Sequence, residues 1–213
     1  MRIFSLGVAA LALSASPLRA QGNQDAATAT KEGIEASKTK DWDKAIAAFR
    51  KAAQLEPRYA PNLVAALRQR AVEYRTQQKY PQAAADLSEA IKIKPDDPDI
   101  YEQRGYVEMQ MKDHDKALAD YSQAIKLQPK EAKYYQVRAI VLQTKGDLQG
   151  ALADVNKTLE LDADNADAQQ RKAFLEAKLR GPATPPPMPS GGPIANPNLR
   201  RPQTSSPART PSP

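Results

Sequence analysis

The chain has 213 residues, of which 41% are hydrophobic, with 31 basic and 25 acidic residues and no cysteine. This length suits one ordinary domain. The absence of cysteine excludes disulfides, thiolate metal sites and cysteine nucleophiles. His114, which lies between two aspartates, is the single histidine, so a metal site cannot have a second histidine ligand. A catalytic triad of nucleophile, histidine base and third group is not supplied either.

The formal charge of +6 is concentrated at the two ends of the chain. Five arginines lie there: Arg2, Arg19, Arg200, Arg201 and Arg209. Without them, 26 basic residues face 25 acidic ones in the middle of the chain. The middle is therefore nearly neutral, and we expect no nucleic-acid partner.

The first twenty residues predict a secretory signal peptide. Arg2 precedes an apolar run over residues 3–13, and small residues follow up to Ala20. The run is about half of the roughly 20 residues that a transmembrane helix needs. We therefore expect cleavage after Ala20, with Ser16 as the alternative, and no transmembrane segment in the mature chain. A buried or amphipathic first helix is the competing interpretation of this segment.

The signal peptide predicts a periplasmic or secreted protein. Residues 21–25 then form a short linker, and the repeats described next begin at residue 26.

A recurring group of residues then occurs four times. An alanine is followed four residues later by a large apolar residue and seven residues later by a small one, which places all three on one helical stripe. The alanines are 38, 34 and 34 residues apart. The four groups are Ala45, Phe49 and Ala52; Ala83, Leu87 and Ala90; Ala117, Tyr121 and Ala124; and Ala151, Val155 and Thr158.

Other residues keep the same register before and after each alanine. Twelve residues earlier a small residue marks a first helix, at Gly33, Ala71, Gly105 and Ala139. Twelve residues later a helix-stopping position follows, at Pro57, Pro95, Pro129 and, as an exception, Ala163. Three residues earlier lies the turn between the helices, at Trp42, Tyr80, His114 and Leu148. The predicted N-caps are Asp41, Asp97, Asp113 and Asp147.

This pattern resembles the tetratricopeptide repeat family. The resemblance implies an all-α fold, a right-handed solenoid of about four antiparallel helix-turn-helix units with a C-terminal capping helix. The units are expected at residues 26–59, 60–97, 98–131 and 132–165. The capping helix is expected at 165–180, which closes a repeat domain over 26–180.

Two departures from the pattern carry structural expectations. The 38-residue interval places about four extra residues near 58–63, where Pro61 can open a longer first helix. Glu108 stands where the pattern has a large apolar group. Because unpaired burial of a carboxylate is costly, we expect it to reach solvent or a cation.

Residues 181–213 contain eleven prolines and no acidic residue, which predicts a disordered tail. The simplest interpretation is a spacer. A polyproline II ligand at residues 182–189 is an alternative. A third is weak contact with an anionic envelope surface through Arg200, Arg201 and Arg209.

The resemblance implies a protein-binding function, with contacts on the concave face that the first helices line. We expect a monomeric adaptor that binds a protein or peptide and uses no cofactor, metal or catalysis. Tyr106 and Met109 are the expected anchors, and Arg68 and Arg75 the expected partners of a carboxylate. The candidate contacts are Arg68, Val72, Arg75, Glu102, Tyr106, Met109, Gln110, Gln136, Ile140 and Gln143, and Ile34 belongs to the same face.

Two other functions remain open at this stage. The chain can be a structural subunit of a larger envelope assembly, bound through its convex or end surfaces. It can also be an enzyme or metal-binding protein on a repeat scaffold, which needs titratable clusters that the sequence does not display. The expected face offers no asparagine of the kind that family members use to bind chaperone C-termini.

Overall fold

The computed structural model of the chain describes residues 17–181. These residues form nine α-helices and one 3-10 turn, without a β-strand. Residues 1–16 of the predicted signal peptide and residues 182–213 of the predicted tail lie outside the described residues. The helices are α1 (Pro17–Lys38), α2 (Trp42–Leu55), α3 (Ala60–Thr76), α4 (Tyr80–Ile93), α5 (Pro98–Gln110), α6 (His114–Leu127), α7 (Ala132–Lys145), α8 (Leu148–Leu161) and α9 (Ala166–Arg180).

The helices pack in chain order. α1 packs on α2, α3 on α4, α5 on α6 and α7 on α8, and each second helix α2, α4 and α6 also packs on the first helix that follows it. The predicted all-α fold of stacked helical pairs is confirmed. Residues 21–25, predicted as a linker, are instead part of α1, which begins at Pro17. Proline is tolerated there because the first turn of a helix does not need its N–H group.

Small residues on the first helices make room for large residues on the second helices. A Cβ atom added to Gly33 would lie 2.6 Å from the Phe49 ring, and one added to Gly105 would lie 3.1 Å from Cζ of Tyr121. Alanine replaces glycine at positions 71 and 139, in the units where the second helix carries an aliphatic residue instead of an aromatic one. The first-helix residue is therefore smaller where its partner on the second helix is larger.

The predicted N-caps are confirmed. Asp41, Asp113 and Asp147 accept hydrogen bonds from backbone N–H groups three residues on, at 3.2, 3.3 and 2.8 Å. Asp97 accepts one from the backbone N–H of Asp99 at 3.1 Å, with Pro98 in the first turn. Each carboxylate thus satisfies an N–H group that the helix leaves without a partner.

The extra residues between the first two units lengthen a helix, as predicted. α3 has 17 residues, whereas α5 has 13 and α7 has 14. A 3-10 turn at Pro57–Tyr59 precedes α3, and Pro61 lies in its first turn. The prolines therefore set both the end of α2 and the start of α3.

A residue in the left-handed conformation follows the end of each first helix from α1 to α7. These residues are Lys40, Gln78, Lys112 and Gly146, with φ of 57°, 59°, 62° and 87°. In every case the next backbone N–H donates to the carbonyl five residues back, as in a Schellman motif. Only the fourth unit has glycine there, so the other three retain about 1 to 2 kcal/mol of backbone strain each. For this reason the sequence did not reveal the motif.

An arginine on α5 joins three consecutive helices. Arg104 donates two hydrogen bonds to the Asp120 carboxylate on α6, at 2.9 and 2.6 Å. Its third nitrogen donates to Oγ of Ser88 on α4, at 3.1 Å. Asp120 is only 4% exposed, and its hydrogen bonds raise the pKa of Arg104 despite burial. Thirty-four residues later, Arg138 repeats these contacts with Asp154 and Ser122.

The same contact begins at α3. Arg70 donates to both oxygens of Asp86 on α4, at 2.8 and 2.7 Å, and it also reaches Asp43 on α2. The first unit has Glu32 and Ala48 at the corresponding positions, so it cannot form the pair. We call Arg70, Arg104 and Arg138 the arginine ladder. It connects α2 through α8.

Replacing Asp120 tests the ladder. Asp120→Ala leaves the Arg104 guanidinium without its buried counter-charge, so we expect the free energy of unfolding to fall by about 3 to 5 kcal/mol. The measurement is urea denaturation followed by circular dichroism. Removing an exposed ion pair with Glu160→Ala is the control, with an expected change below about 1 kcal/mol. Equal losses in the two variants would contradict the role of the ladder.

Candidate functional site

The ten predicted contact residues lie on three first helices, where Tyr106 and Gln110 are exposed and the other eight are half-buried. Arg68, Val72 and Arg75 are on α3, and Glu102, Tyr106, Met109 and Gln110 are on α5. The remaining three, Gln136, Ile140 and Gln143, are on α7. Side chains of neighbouring first helices contact one another, so these residues form a continuous surface.

Arg68 is engaged by groups of this chain. Its guanidinium lies 3.6 Å from the Asp97 carboxylate, and Nε donates to Oε1 of Gln103 on α5 at 3.3 Å. A ligand carboxylate would compete with Asp97 for this cation. Arg68 therefore contributes mainly to the contact between α3 and α5.

Arg75 has a different environment. Its guanidinium lies over the Tyr106 ring, 5.0 Å from the ring centre, and that ring is exposed. Within the described part of the chain no carboxylate lies within 4.0 Å of Arg75. Arg75 and Tyr106 thus present a cation and an aromatic face together at the surface, an arrangement that suits a ligand with both apolar and acidic groups.

Met109 belongs more to the core than to the surface. Its sulfur accepts a hydrogen bond from the Tyr121 hydroxyl at 3.5 Å, and it packs against the buried cluster that includes Val141. The expected anchoring role of Met109 is therefore secondary to its packing role. Of the two expected anchors on α5, only Tyr106 has an exposed side chain.

Glu102 takes part in an ionic cluster between α5 and α7. Nζ of Lys133 lies 3.2 Å from both the Glu102 and the Asp99 carboxylates, and the Tyr134 hydroxyl donates to Asp99 at 3.1 Å. Burial lowers the pKa of Lys133, but the hydrogen bonds to the two carboxylates more than offset that effect and raise it. These groups satisfy one another and hold the two first helices together.

The surface continues onto α9, which the sequence analysis treated only as a cap. Nη1 of Arg171 donates to Oε1 of Gln143 at 2.8 Å. A groove of about 460 Å³ lies beside this contact and includes the exposed ring of Phe174. Phe174 follows Ile140 by the repeat interval of 34 residues, and this spacing is the sequence signal for the extension.

Glu108 departs from expectation, because it reaches neither solvent nor a cation. The side chain is 5% exposed and its Oε2 atom has no hydrogen-bond partner. The register of α5 places it at the position that Tyr74 and Leu142 fill in the neighbouring units, where both pack against core clusters. Burial raises the pKa of this carboxyl above its ordinary value, and the nearby positive charge of Lys116 only partly opposes the shift.

The raised pKa gives a pH-dependent prediction. The folded state holds the Glu108 proton more tightly, so its penalty is absent below the ordinary pKa of 4.5 and grows as the pH rises through that value. We expect Glu108→Leu to increase the free energy of unfolding by about 1 to 3 kcal/mol at neutral pH.

The gain should be smaller at pH 3.5, where the carboxyl is protonated in both states. Urea denaturation at the two pH values measures it. Glu32→Leu, at an exposed position on α1, is the control and should give no such pH dependence. A gain of equal size at both pH values would contradict a charged, buried Glu108.

Residues 17–181 contain no group of three or more histidine, cysteine, aspartate or glutamate side chains placed to hold a metal ion. Among the helices described, none is both long and apolar enough to span a bilayer.

Family comparisons agree with the repeat pattern in the middle of the chain. Residues 72–112 match a family model described as TPR repeat, and residues 98–131 match one described as tetratricopeptide repeat. Residues 72–131 thus contain tetratricopeptide repeats. No curated protein matches the chain in sequence.

Solved structures share the fold. The first TPR of Spaghetti (RPAP3) bound to the HSP90 peptide SRMEEVD is 22% identical, with a TM-score of 0.52 over 55% of this chain and 93% of that one. A tetratricopeptide repeat protein from Parabacteroides merdae is 23% identical, with a TM-score of 0.59 over 74% of this chain and 61% of that one.

A third similar structure is the Yersinia enterocolitica type III secretion chaperone SycD in complex with a peptide of the translocator YopD. It is 20% identical, with a TM-score of 0.50 over 53% of this chain and 92% of that one. At these identities the similarities establish the fold alone.

Proposed function

We propose that this chain is an exported, non-catalytic adaptor that binds a segment of another protein on its first-helix surface. The observation that carries the proposal is the pair of a half-buried Arg75 and an exposed Tyr106 ring on that surface. An aromatic ring and an arginine are the side chains that most often dominate binding energy at protein interfaces. The half-buried side chains around them supply shape.

The similar structures support a peptide ligand. Two of them, the first TPR of Spaghetti and the chaperone SycD, are described as complexes with peptides. A peptide that crosses several stacked repeats contacts the first helix of each repeat. The continuous surface from α3 to α7 has the form that such a ligand needs.

The absence of catalysis is part of the proposal. Between α3 and α7 two carboxylates of this surface are paired with cations, Asp97 with Arg68 and Glu102 with Lys133. General acid–base chemistry needs a carboxylate or imidazole free to exchange a proton with a substrate. The ion pairs instead give the surface a fixed shape and make it suitable for binding.

Binding is tested by changing the central pair. We expect Arg75→Glu combined with Tyr106→Ala to reduce capture of the partner at least about tenfold, because both changes remove groups that dominate interface energy. The measurement is a crosslinking pulldown from the native envelope, with the captured protein identified by mass spectrometry. Circular dichroism should remain unchanged.

Lys126→Glu, an exposed charge reversal on α6, is the matched control and should leave capture intact. If the double variant captures the partner as well as the unmodified protein does, the binding site lies on another surface.

Export rests on the sequence of residues 1–20, with the periplasm or the cell exterior as the proposed location and a monomer as the proposed state. We expect the protein recovered from that compartment to begin at Gln21, because Ala20 ends the small-residue segment that signal peptidase would recognise. Amino-terminal sequencing checks this. Recovery of a chain that still begins at Met1 would contradict export by cleavage.

A further inference from the structure

Two buried polar atoms without a hydrogen-bond partner lie at one turn of the third unit. They are Oε2 of Glu108, in the last turn of α5, and Nδ1 of His114, the first residue of α6. The turn between them closes with a hydrogen bond from the backbone N–H of Asp113 to the Glu108 carbonyl, at 2.9 Å. A buried polar atom without a partner costs stability, so two at one turn call for a physical reason.

The other three units have apolar side chains at both positions. These pairs are Ala36 with Trp42, Tyr74 with Tyr80, and Leu142 with Leu148. In each of the three units both residues pack in the same apolar cluster. Their turns close with the same backbone hydrogen bond as the third turn, so the four turns share one geometry. Glu108 and His114 therefore replace an apolar pair together, and their side chains share one interior space.

The net charge of this pair depends on one proton. A carboxylate beside a neutral imidazole carries one negative charge, whichever ring nitrogen holds the hydrogen. One more proton makes the pair neutral overall, either as a carboxylic acid with an imidazole or as a carboxylate with an imidazolium. In either form the shared proton gives Oε2 and Nδ1 a partner. Proton uptake thus removes an uncompensated buried charge and two unpartnered atoms.

The other charged groups near Glu108 are already paired with one another. The charges that face it are Arg104 on α5 and Asp113, Lys116 and Asp120 on α6. Arg104 bonds to Asp120 at 2.6 Å, and Nζ of Lys116 lies 2.6 Å from the Asp113 carboxylate. These two ion pairs cancel, which leaves the Glu108 charge without a counter-ion of its own.

The helices packed on either side supply no counter-ion. From α7, Lys145 reaches the start of α6, where it pairs with Asp115. α4 contacts the same region through the Ser88 hydroxyl, which accepts a hydrogen bond from Arg104 and does not titrate. In the described part of the chain, this leaves His114 as the group that can compensate the Glu108 carboxylate.

We propose that Glu108 and His114 form a proton-binding pair that holds α5 and α6 together more firmly at mildly acidic pH than at pH 8. The pair is a pH-sensitive device built into the third unit, and it does not depend on the proposed function. α5 also carries Tyr106, so the proton controls how firmly the helix with that exposed ring is held.

The direction of the effect follows from burial. Burial raises the pKa of the Glu108 carboxyl above 4.5, so the folded chain holds this proton to higher pH than the unfolded chain does. The stabilisation is therefore complete below pH 4.5 and is lost as the pH rises through the raised value. Because an imidazole ordinarily changes its charge between pH 5 and 8, pairing with His114 brings the response into the mildly acidic range.

A double-mutant cycle tests the pair in the full mature chain. Glu108→Leu, His114→Leu and the double variant introduce the side chains that the fourth unit has in the same register, so we expect all three to fold. Urea denaturation followed by circular dichroism gives the unfolding equilibrium constants at pH 5.5 and pH 8. We expect the two side chains to stabilise each other about tenfold at pH 5.5 and less than about twofold at pH 8.

Leu148→His is the matched control. It places a histidine at the same register of the fourth unit, beside Leu142 and without a carboxylate. Because desolvation disfavours an unpaired imidazolium, lowering the pH from 8 to 5.5 should raise the unfolding constant of this variant about threefold or more relative to the unmodified chain. If the control instead responds as the unmodified chain does, the response belongs to the register and not to the pair, and the proposal fails.

The shared proton can also be observed directly. His114 is the single histidine of the chain, so its ring is observed alone by NMR in a protein without a histidine tag. We expect a slowly exchanging ring N–H signal at pH 5.5 that is absent at pH 8 and in Glu108→Gln. Absence of this signal from the unmodified chain at pH 5.5 would overturn the proposal even where a variant fails to fold. Coupling of equal size at the two pH values would overturn it as well.

Discussion

The buried arginine–aspartate contact is the interaction on which the order of the stack depends. Each arginine of the ladder lies on a first helix and bonds to the second helix of its own unit and to that of the preceding unit. An aspartate in an apolar interface is stable only with its guanidinium in place, so a helix that slid by one turn would leave both charges buried and unpaired. The ladder therefore selects one register, while apolar packing supplies most of the stabilisation.

Fixing the helices in this way arranges the surface. With the first helices held side by side, residues 34 or 38 positions apart in sequence become neighbours in space, and Arg75 comes to lie over Tyr106. The ion pairs of Arg68 and Lys133 fill the spaces between adjacent first helices. The exposed rings of Tyr106 and Phe174 remain accessible, each with a cation over its face.

Two features weaken the fold locally. Three of the four left-handed turn residues are not glycine, and Glu108 fills an apolar space without a hydrogen bond to its Oε2 atom. Neither feature contributes to the proposed binding surface. Each repeat also gains stability from its interface with the neighbouring repeats, which offsets such local costs.

The sequence by itself determined the helical pairs, their caps and the longer α3, because these depend on local spacing, on side chains such as Asp113, and on prolines such as Pro61. From the sequence, Tyr106 and Arg75 are also predicted as contact residues, and that role stays a prediction. Only the tertiary structure showed that Met109 packs inward, that Glu108 is buried, and that the surface continues to Phe174. These facts depend on contacts between residues far apart in the chain, and the free energy of burial is set by those neighbours rather than by the residue's own type.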